Sequence, residues 1–245
     1  MSKTGLKPTR LLDFDSPEIA TLIESKGWKK MGEEDQLKAI YEYVRDEIGL
    51  GYNERDDLPA SRVLADGYGQ CNTKAILLMA LYRAVGQATR LHAAWVDKRL
   101  QAGVVPPAVF ALAPPKILHT WVEVFFRSRW VGLEGVIVDK AFLGSVQAAN
   151  PRCSGPFCGF AIATPRFGSP PIEWTGEDTN IQSMAVIADL GVFEEPELLY
   201  AAHSQYLGVV RRMLYEMVVR HWMNRRVAAI RRRKFLSLAK EPQHD

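Results

Sequence analysis

The sequence predicts an α+β fold in which a buried helix carrying Cys71 packs on an antiparallel sheet, followed by a C-terminal helical arm. Three observations carry that expectation. Residues 72–85 place apolar side chains on nearly every face, which marks a helix inside a core rather than on its surface. Three later segments, 88–96, 117–126 and 129–138, are rich in Val, Ile, Trp and Phe and read as strands. From about Pro196 to Leu238 the apolar period returns to that of a helix.

In chain order, Asp15-Ser16-Pro17 has the chemistry of a helix start: a capping side chain, proline in the first turn and Glu18 at the positive end of the dipole. A short helix to residue 26 follows. Residues 33–49 open with acids, end at Gly49 and set Leu37, Ile40, Tyr41, Val44 and Ile48 at helical spacing. After a polar connection, 51–59, a short helix is expected in ASRVLAD. The turn Gly67-Tyr68-Gly69-Gln70 then leads into Cys71 and the central helix, which Gly86 stops. Between the first two strands, the Pro-rich stretch 101–116 is expected to be irregular. Residues 147–179 are dense in Pro, Gly and Ser, with only short extended pieces such as PFCGFAIAT. The C-terminal helix is expected to bury a stripe of Leu199, Tyr206, Val210, Met213, Met217 and Val218. The expected division is a main domain over 1–190 and a basic amphipathic extension over 191–245.

Composition narrows the function classes. With 47% hydrophobic and 24% charged residues, 245 residues bury one sizeable core. No stretch reaches the roughly 20 apolar residues of a membrane-spanning helix, and the first residues hold no apolar leader, so a cytoplasmic protein is expected. Three cysteines, Cys71, Cys153 and Cys158, cannot all be paired, which fits a reducing compartment. Cys153 and Cys158 have no second ligand pair at metal-binding spacing, so neither metal nor cofactor is expected. The net charge of +3 is uneven: positions 211–234 hold nine Lys or Arg and one acid, Glu216, giving +8 there and −5 elsewhere. For that segment, docking on its own domain or self-association through the helix is the favoured expectation. Contact with anionic lipid or nucleic acid is the alternative.

A thiol is a nucleophile only as thiolate, which a helix amino terminus and a nearby imidazolium both favour. Cys71 is expected to have the first, where unbonded N–H groups also suit an oxyanion. His119 is the histidine expected mid-strand in an aromatic, half-buried segment, HTWVEVFF, and it shares a face with Trp121, Glu123 and Phe125. A two-residue turn at Arg127-Ser128 would pair Trp121 with Glu134 and His119 with Val136, leaving Glu134 diagonal to His119 on one face. Asp139 has the wrong parity under that register. Gln70 is read either as a side-chain donor to the oxyanion or as a turn residue. For Trp121 and Trp130 sheet packing is expected, and for His92, Cys153 and Cys158 a place in the core.

Tyr68-Gly69-Gln70-Cys71, His119-x-Trp121-x-Glu123-Val124 and Trp130-Val131-Gly132-Leu133-Glu134 together resemble, in order, the nucleophile, histidine and acid motifs of the transglutaminase-like superfamily. The resemblance spans residues 38–139 and implies a papain-like core with a Cys71, His119, Glu134 triad. Glu134 stands where that family usually has Asp. The resemblance also implies attack by Cys71 on an amide or other acyl carbon through a thioester, with Gln70 and Trp121 as candidate oxyanion or substrate contacts. The expected partners are a peptide or small amide substrate, with water or a small amine as acceptor. Segments for the extra β-domains of calcium-dependent cross-linking enzymes are not found, so hydrolysis or small-amine transfer is expected before protein cross-linking. The alternative is a non-catalytic domain that holds a peptide in the same groove.

Overall fold

A computed structural model describes residues 6–203 and 213–232 of the chain. Helix α1 (Pro17–Lys26) starts where Ser16 caps it and stops at Gly27, whose φ of 66° is left-handed. Helix α2 (Glu33–Glu42) runs on into a wider turn at Tyr43–Glu47. The five apolar positions that define its stripe, Leu37, Ile40, Tyr41, Val44 and Ile48, are all buried. A short strand β1 (Gly49–Leu50) pairs in parallel with β2 (Tyr68–Gly69) on the far side of helix α3 (Ala60–Asp66). Helix α4 (Cys71–Ala84) follows immediately. It is buried from Asn72 through Arg83, packed between the surrounding helices and the sheet. Each large apolar side chain removed from water there contributes roughly 1.5–3 kcal/mol, which makes α4 the axis of the core.

The main sheet contains β3 (Thr89–Asp97), β4 (Lys116–Phe126), β5 (Arg129–Gly132) and β8 (Val186–Phe193) in the order β5-β4-β3-β8, antiparallel throughout. Leu118, Thr120, Val122, Val124 and Phe126 of β4 are buried on the face toward α4. Ile117, Trp121, Glu123 and Phe125 alternate with them and are half-buried. His119 has the parity of that second set and is nonetheless fully buried. A smaller hairpin joins β6 (Phe157–Gly159) to β7 (Ile162–Thr164).

Four expectations change. The turn at Arg127-Ser128 has two residues, both at positive φ, and β4 pairs with β5 from Phe126–Arg129 to Glu123–Gly132 in the expected register. Strand β5 then ends early, and the anticipated pairs of Trp121 with Glu134 and His119 with Val136 are not formed. The chain leaves β4 because the backbones of Gly132 and Glu134 bond to Thr179, and residues Glu134–Ile137 coil into a 3₁₀ turn. The Pro-rich stretch holds a helix, α5 (Pro107–Leu112), since proline at the first helical position gives up an N–H that would be unbonded anyway. Helix α6 (Lys140–Ala149), capped by Asp139, and edge strand β8 were not anticipated.

After α7 (Pro196–Ala202), the described C-terminal segment has a wide turn at Tyr215–Val219 and a helix over Arg220–Arg231. The wide turn shifts the helical phase, so Val219, Met223, Val227 and Ile230 are buried while Met213, Met217 and Val218 are exposed. Leu199 is buried as expected, and Tyr206 and Val210 lie outside the described residues. The buried stripe rests beside α6 on the chain's own domain. Among the described residues no helix is long and apolar enough to cross a membrane.

Candidate active site

Cys71 is the first residue of α4 and is half-buried with a free thiol. The turn before it is held from two directions. Gln70 N–H donates to Thr73 Oγ1 at 3.1 Å, closing the helix start. A Cβ on Gly69 would lie 2.6 Å from that same Thr73 oxygen, so the approach requires glycine. From the other side Asn53 binds the turn: its N–H donates to Gln70 Oε1 (2.8 Å), its Nδ2 donates to Tyr68 O (3.2 Å), and its Oδ1 accepts from Thr73 Oγ1 (2.6 Å). Gln70 Nε2 donates to Asp56 Oδ1 at 2.9 Å. The Gln70 side chain is thus a strut of the turn, with a second N–H on its amide nitrogen beyond that bond.

Asn72 fastens this helix start to the strand that carries His119. Its Nδ2 donates to Leu118 O (3.3 Å) and its Oδ1 accepts from Thr120 Oγ1 (3.0 Å). Those partners are the two chain neighbours of His119. The Cys71 thiol also points a weak bond at Asn72 Oδ1, 3.6 Å away.

His119 Nε2 lies 2.8 Å from Glu134 Oε1. A carboxylate only accepts, so Nε2 carries the proton in that bond. The other carboxylate oxygen, Oε2, accepts from the backbone N–H groups of Ile181 (2.9 Å) and Gln182 (3.0 Å), and the residue is 5% exposed. Glu134 is therefore fixed on both oxygens. Its extra methylene has a structural use, because it projects from the 3₁₀ turn rather than from a strand beside β4. Nδ1 of His119 is buried and has no hydrogen-bond partner among the described residues, and the Cys71 thiol is near enough to act on the ring. Burial opposes charging the imidazole, but the Cys71 sulfur and the Glu134 carboxylate outweigh it and lift the His119 pKa to about 10.

Aromatic and acidic groups border the thiol. Tyr52 and Tyr200 are held protonated, first by burial and then by the charges of Cys71 and, for Tyr200, Asp56. Tyr200 donates to Asp56 O at 3.0 Å. Burial raises the Asp56 pKa, and hydrogen bonds from Gln70 and Asn72 work against that rise. On the other side the Trp121 ring stands 5.6 Å from His119 and stacks on His92 at 4.2 Å. His92 bridges Glu123 (2.7 Å) and Asp189 (2.8 Å); burial lowers its pKa, and these carboxylates more than reverse the effect. Trp130 packs edge-on against Phe125 and under Arg90. Cys153 donates to Pro156 O, Cys158 lies exposed in β6, and neither joins the hydrogen bonds of the Cys71, His119 and Glu134 set.

Sequence reasoning brought Cys71, His119 and Glu134 together and missed the residues that hold them. Asn72 follows the nucleophile directly, and a polar side chain at a buried helix start was the available signal. Asn53, Asp56 and the Ile181-Gln182 backbone carried none, because their roles depend on contacts far apart in sequence.

Residues 22–135 match the family model of the Transglutaminase-like superfamily. Among solved structures, it is similar to a cysteine-protease candidate from Cytophaga hutchinsonii, with 17% identity and a TM-score of 0.37. That match covers 52% of this chain and 39% of the other, so it spans well under half of that protein's length. Comparison with curated proteins gives no match.

Proposed function

We propose that this transglutaminase-like domain cleaves or transfers acyl groups at amide bonds through a thioester on Cys71, with His119 as acid and base and Glu134 as its orienting partner. One observation carries the reading. The buried imidazole has Nε2 anchored on a fixed carboxylate at 2.8 Å and an unsatisfied Nδ1, with the Cys71 thiol near enough to act on the ring.

In this reading the Cys71 sulfur attacks the amide carbon and forms a C–S bond, and the carbonyl electrons move to oxygen. The first N–H groups of α4, which have no acceptor within the helix, are the donors for that oxyanion, with the second N–H of Gln70 Nε2 as a further candidate. The C–N bond then breaks as His119 gives its Nδ1 proton to the departing amine. Water, or a small amine, next attacks the thioester while Nδ1 takes its proton, and the C–S bond breaks to restore the sulfur. Trp121 forms one wall for the acyl group. The substrate class is a peptide or small amide, and a free catalytic thiol suits the reducing cytoplasm.

The test is to mix the protein with a panel of glutamine, asparagine and peptide amides, quench in acid and weigh the intact chain. An acyl adduct mapped to Cys71, absent in Cys71→Ala and released as a hydroxamate by hydroxylamine, is the expected result. No adduct and no released amine across the panel would leave a peptide-holding groove without catalysis.

A further inference from the structure

We infer that the C-terminal helix is a working wall of the active site, and that Asn224, acting through Tyr52, is a positioning residue for Cys71. This rests on the reading of Cys71 as nucleophile. It concerns residues outside the 22–135 span that matches the superfamily.

Strand β1 has β2 as its partner on one edge. Its continuation is held on the other edge by side chains of the C-terminal helix. Asn224 Oδ1 accepts from Tyr52 N–H at 2.7 Å, and Asn224 Nδ2 donates to Tyr52 O at 3.0 Å. One side-chain amide thereby takes both backbone groups of Tyr52, as a neighbouring strand would. Tyr215 donates to Asn53 O (3.0 Å) and Arg231 Nη2 to Leu50 O (2.9 Å). Arg231 also grips Asp139 through both carboxylate oxygens (3.0 and 2.7 Å), and Asp139 accepts from Leu50 N–H (3.0 Å). The guanidinium lies so close over Gly49 that a Cβ there would be 2.9 Å from it.

The held segment is the one that fixes the nucleophile. Gly51 N–H bonds to Gly69 O at 3.0 Å, and Tyr52, which follows it, lies near enough to Cys71 to feel its charge. Asn53, next in the chain, binds Gln70 and Thr73 on either side of Cys71. The route is therefore continuous: Asn224 to Tyr52, Tyr52 and Asn53 to the Gln70 turn, and that turn to the sulfur facing His119. An unbraced edge of two residues is too short to keep its register alone. The helix supplies the missing edge, and the placement of Cys71 near the His119 ring depends on it.

The experiment uses the full chain as wild type, Asn224→Leu and Tyr215→Phe. Iodoacetamide labelling at pH 6 and pH 9.5, followed by peptide mapping, reads Cys71 against Cys153 and Cys158 in one sample, and hydrogen exchange reads the peptide spanning residues 48–56. Two lost hydrogen bonds predict that Asn224→Leu lowers the pH 6 to pH 9.5 rate ratio of Cys71 about tenfold, with faster exchange at Tyr52. One lost bond in Tyr215→Phe predicts a drop of about threefold, which keeps the test decisive if Asn224→Leu does not fold. Folded variants with the wild-type ratio and wild-type exchange overturn the inference. If wild-type Cys71 reacts no faster at pH 6 than Cys153, the nucleophile reading has failed instead. The exchange data then still decide whether the helix braces the segment.

Discussion

Replacing Glu134 by Gln isolates what that carboxylate does for His119. The carboxylate accepts three hydrogen bonds, one from His119 Nε2 and two from the Ile181 and Gln182 backbone, and donates none. A carboxamide has one accepting end. If its oxygen keeps the two backbone donors, its NH2 faces Nε2, and His119 must move its proton to Nδ1 and stay neutral. If the amide turns over, its NH2 meets two backbone N–H groups in a site that excludes water. Either arrangement forfeits a hydrogen bond to a charged group, on the order of 1.5–3 kcal/mol. Spent on the imidazolium, that loss corresponds to a fall of about 10- to 150-fold in Cys71 reactivity. The assay is the second-order rate of Cys71 alkylation at pH 6 by peptide mapping, with the thermal midpoint measured alongside to confirm folding. Folded Glu134→Gln reacting within about twofold of wild type would refute the argument that the carboxylate holds the charged ring.

Two further perturbations probe the scaffold. Lys74 is fully buried in α4, its Nζ donating to Arg45 O (3.1 Å) and Ile137 O (3.3 Å), and burial drops its pKa from 10.5 to about 7. Because the unfolded chain binds this proton and the folded one does not, wild-type stability should rise with pH between about 7 and 10.5. Lys74→Met removes a cost on the order of 4 kcal/mol at pH 7 and orphans two carbonyls at roughly 1–3 kcal/mol. Urea titrations should therefore find the variant more stable at pH 7, with the advantage gone near pH 10; a constant difference would contradict the lowered pKa of Lys74. Gly69→Ala sets a Cβ 2.6 Å from Thr73 Oγ1 and 2.9 Å from Lys74 Cγ, so it should lower stability by about 1–3 kcal/mol and slow Cys71 labelling. Calorimetry and peptide-mapped labelling that both return wild-type values would show that the turn does not need the close approach.

What could be read from the sequence was what local chemistry determines. Ser16-Pro17 and Gly27 bound α1 with ordinary caps, and the two-residue turn at Arg127-Ser128 set the register of β4 on β5. Glu134 reached His119 by another path than the one expected, because a bridge to Thr179 took the chain off the sheet edge after Leu133. Asp139 has no contact with His119 to offer; it caps α6 and holds Arg231. Strand β8 hid because it is an edge strand whose apolar residues, Val186, Ile187 and Val192, face outward, so it lacks the alternation that marks a half-buried strand. The C-terminal helix buries a stripe one phase away from the expected one, since a single wide turn is invisible to a fixed period.

The central claim is that a buried imidazole keeps its proton because the Glu134 carboxylate on Nε2 and the nearby Cys71 sulfur both favour its charged form, and ring-nitrogen NMR of His119 tests it most directly. With a pKa of about 10 against an ordinary 6.5, the imidazolium should persist through neutral pH and be lost only as pH rises through about 10. Cys71→Ala, which removes the leading partner that raises it, should bring the titration down. A wild-type His119 that loses its proton at or below 6.5, unmoved by Cys71→Ala, would contradict the account.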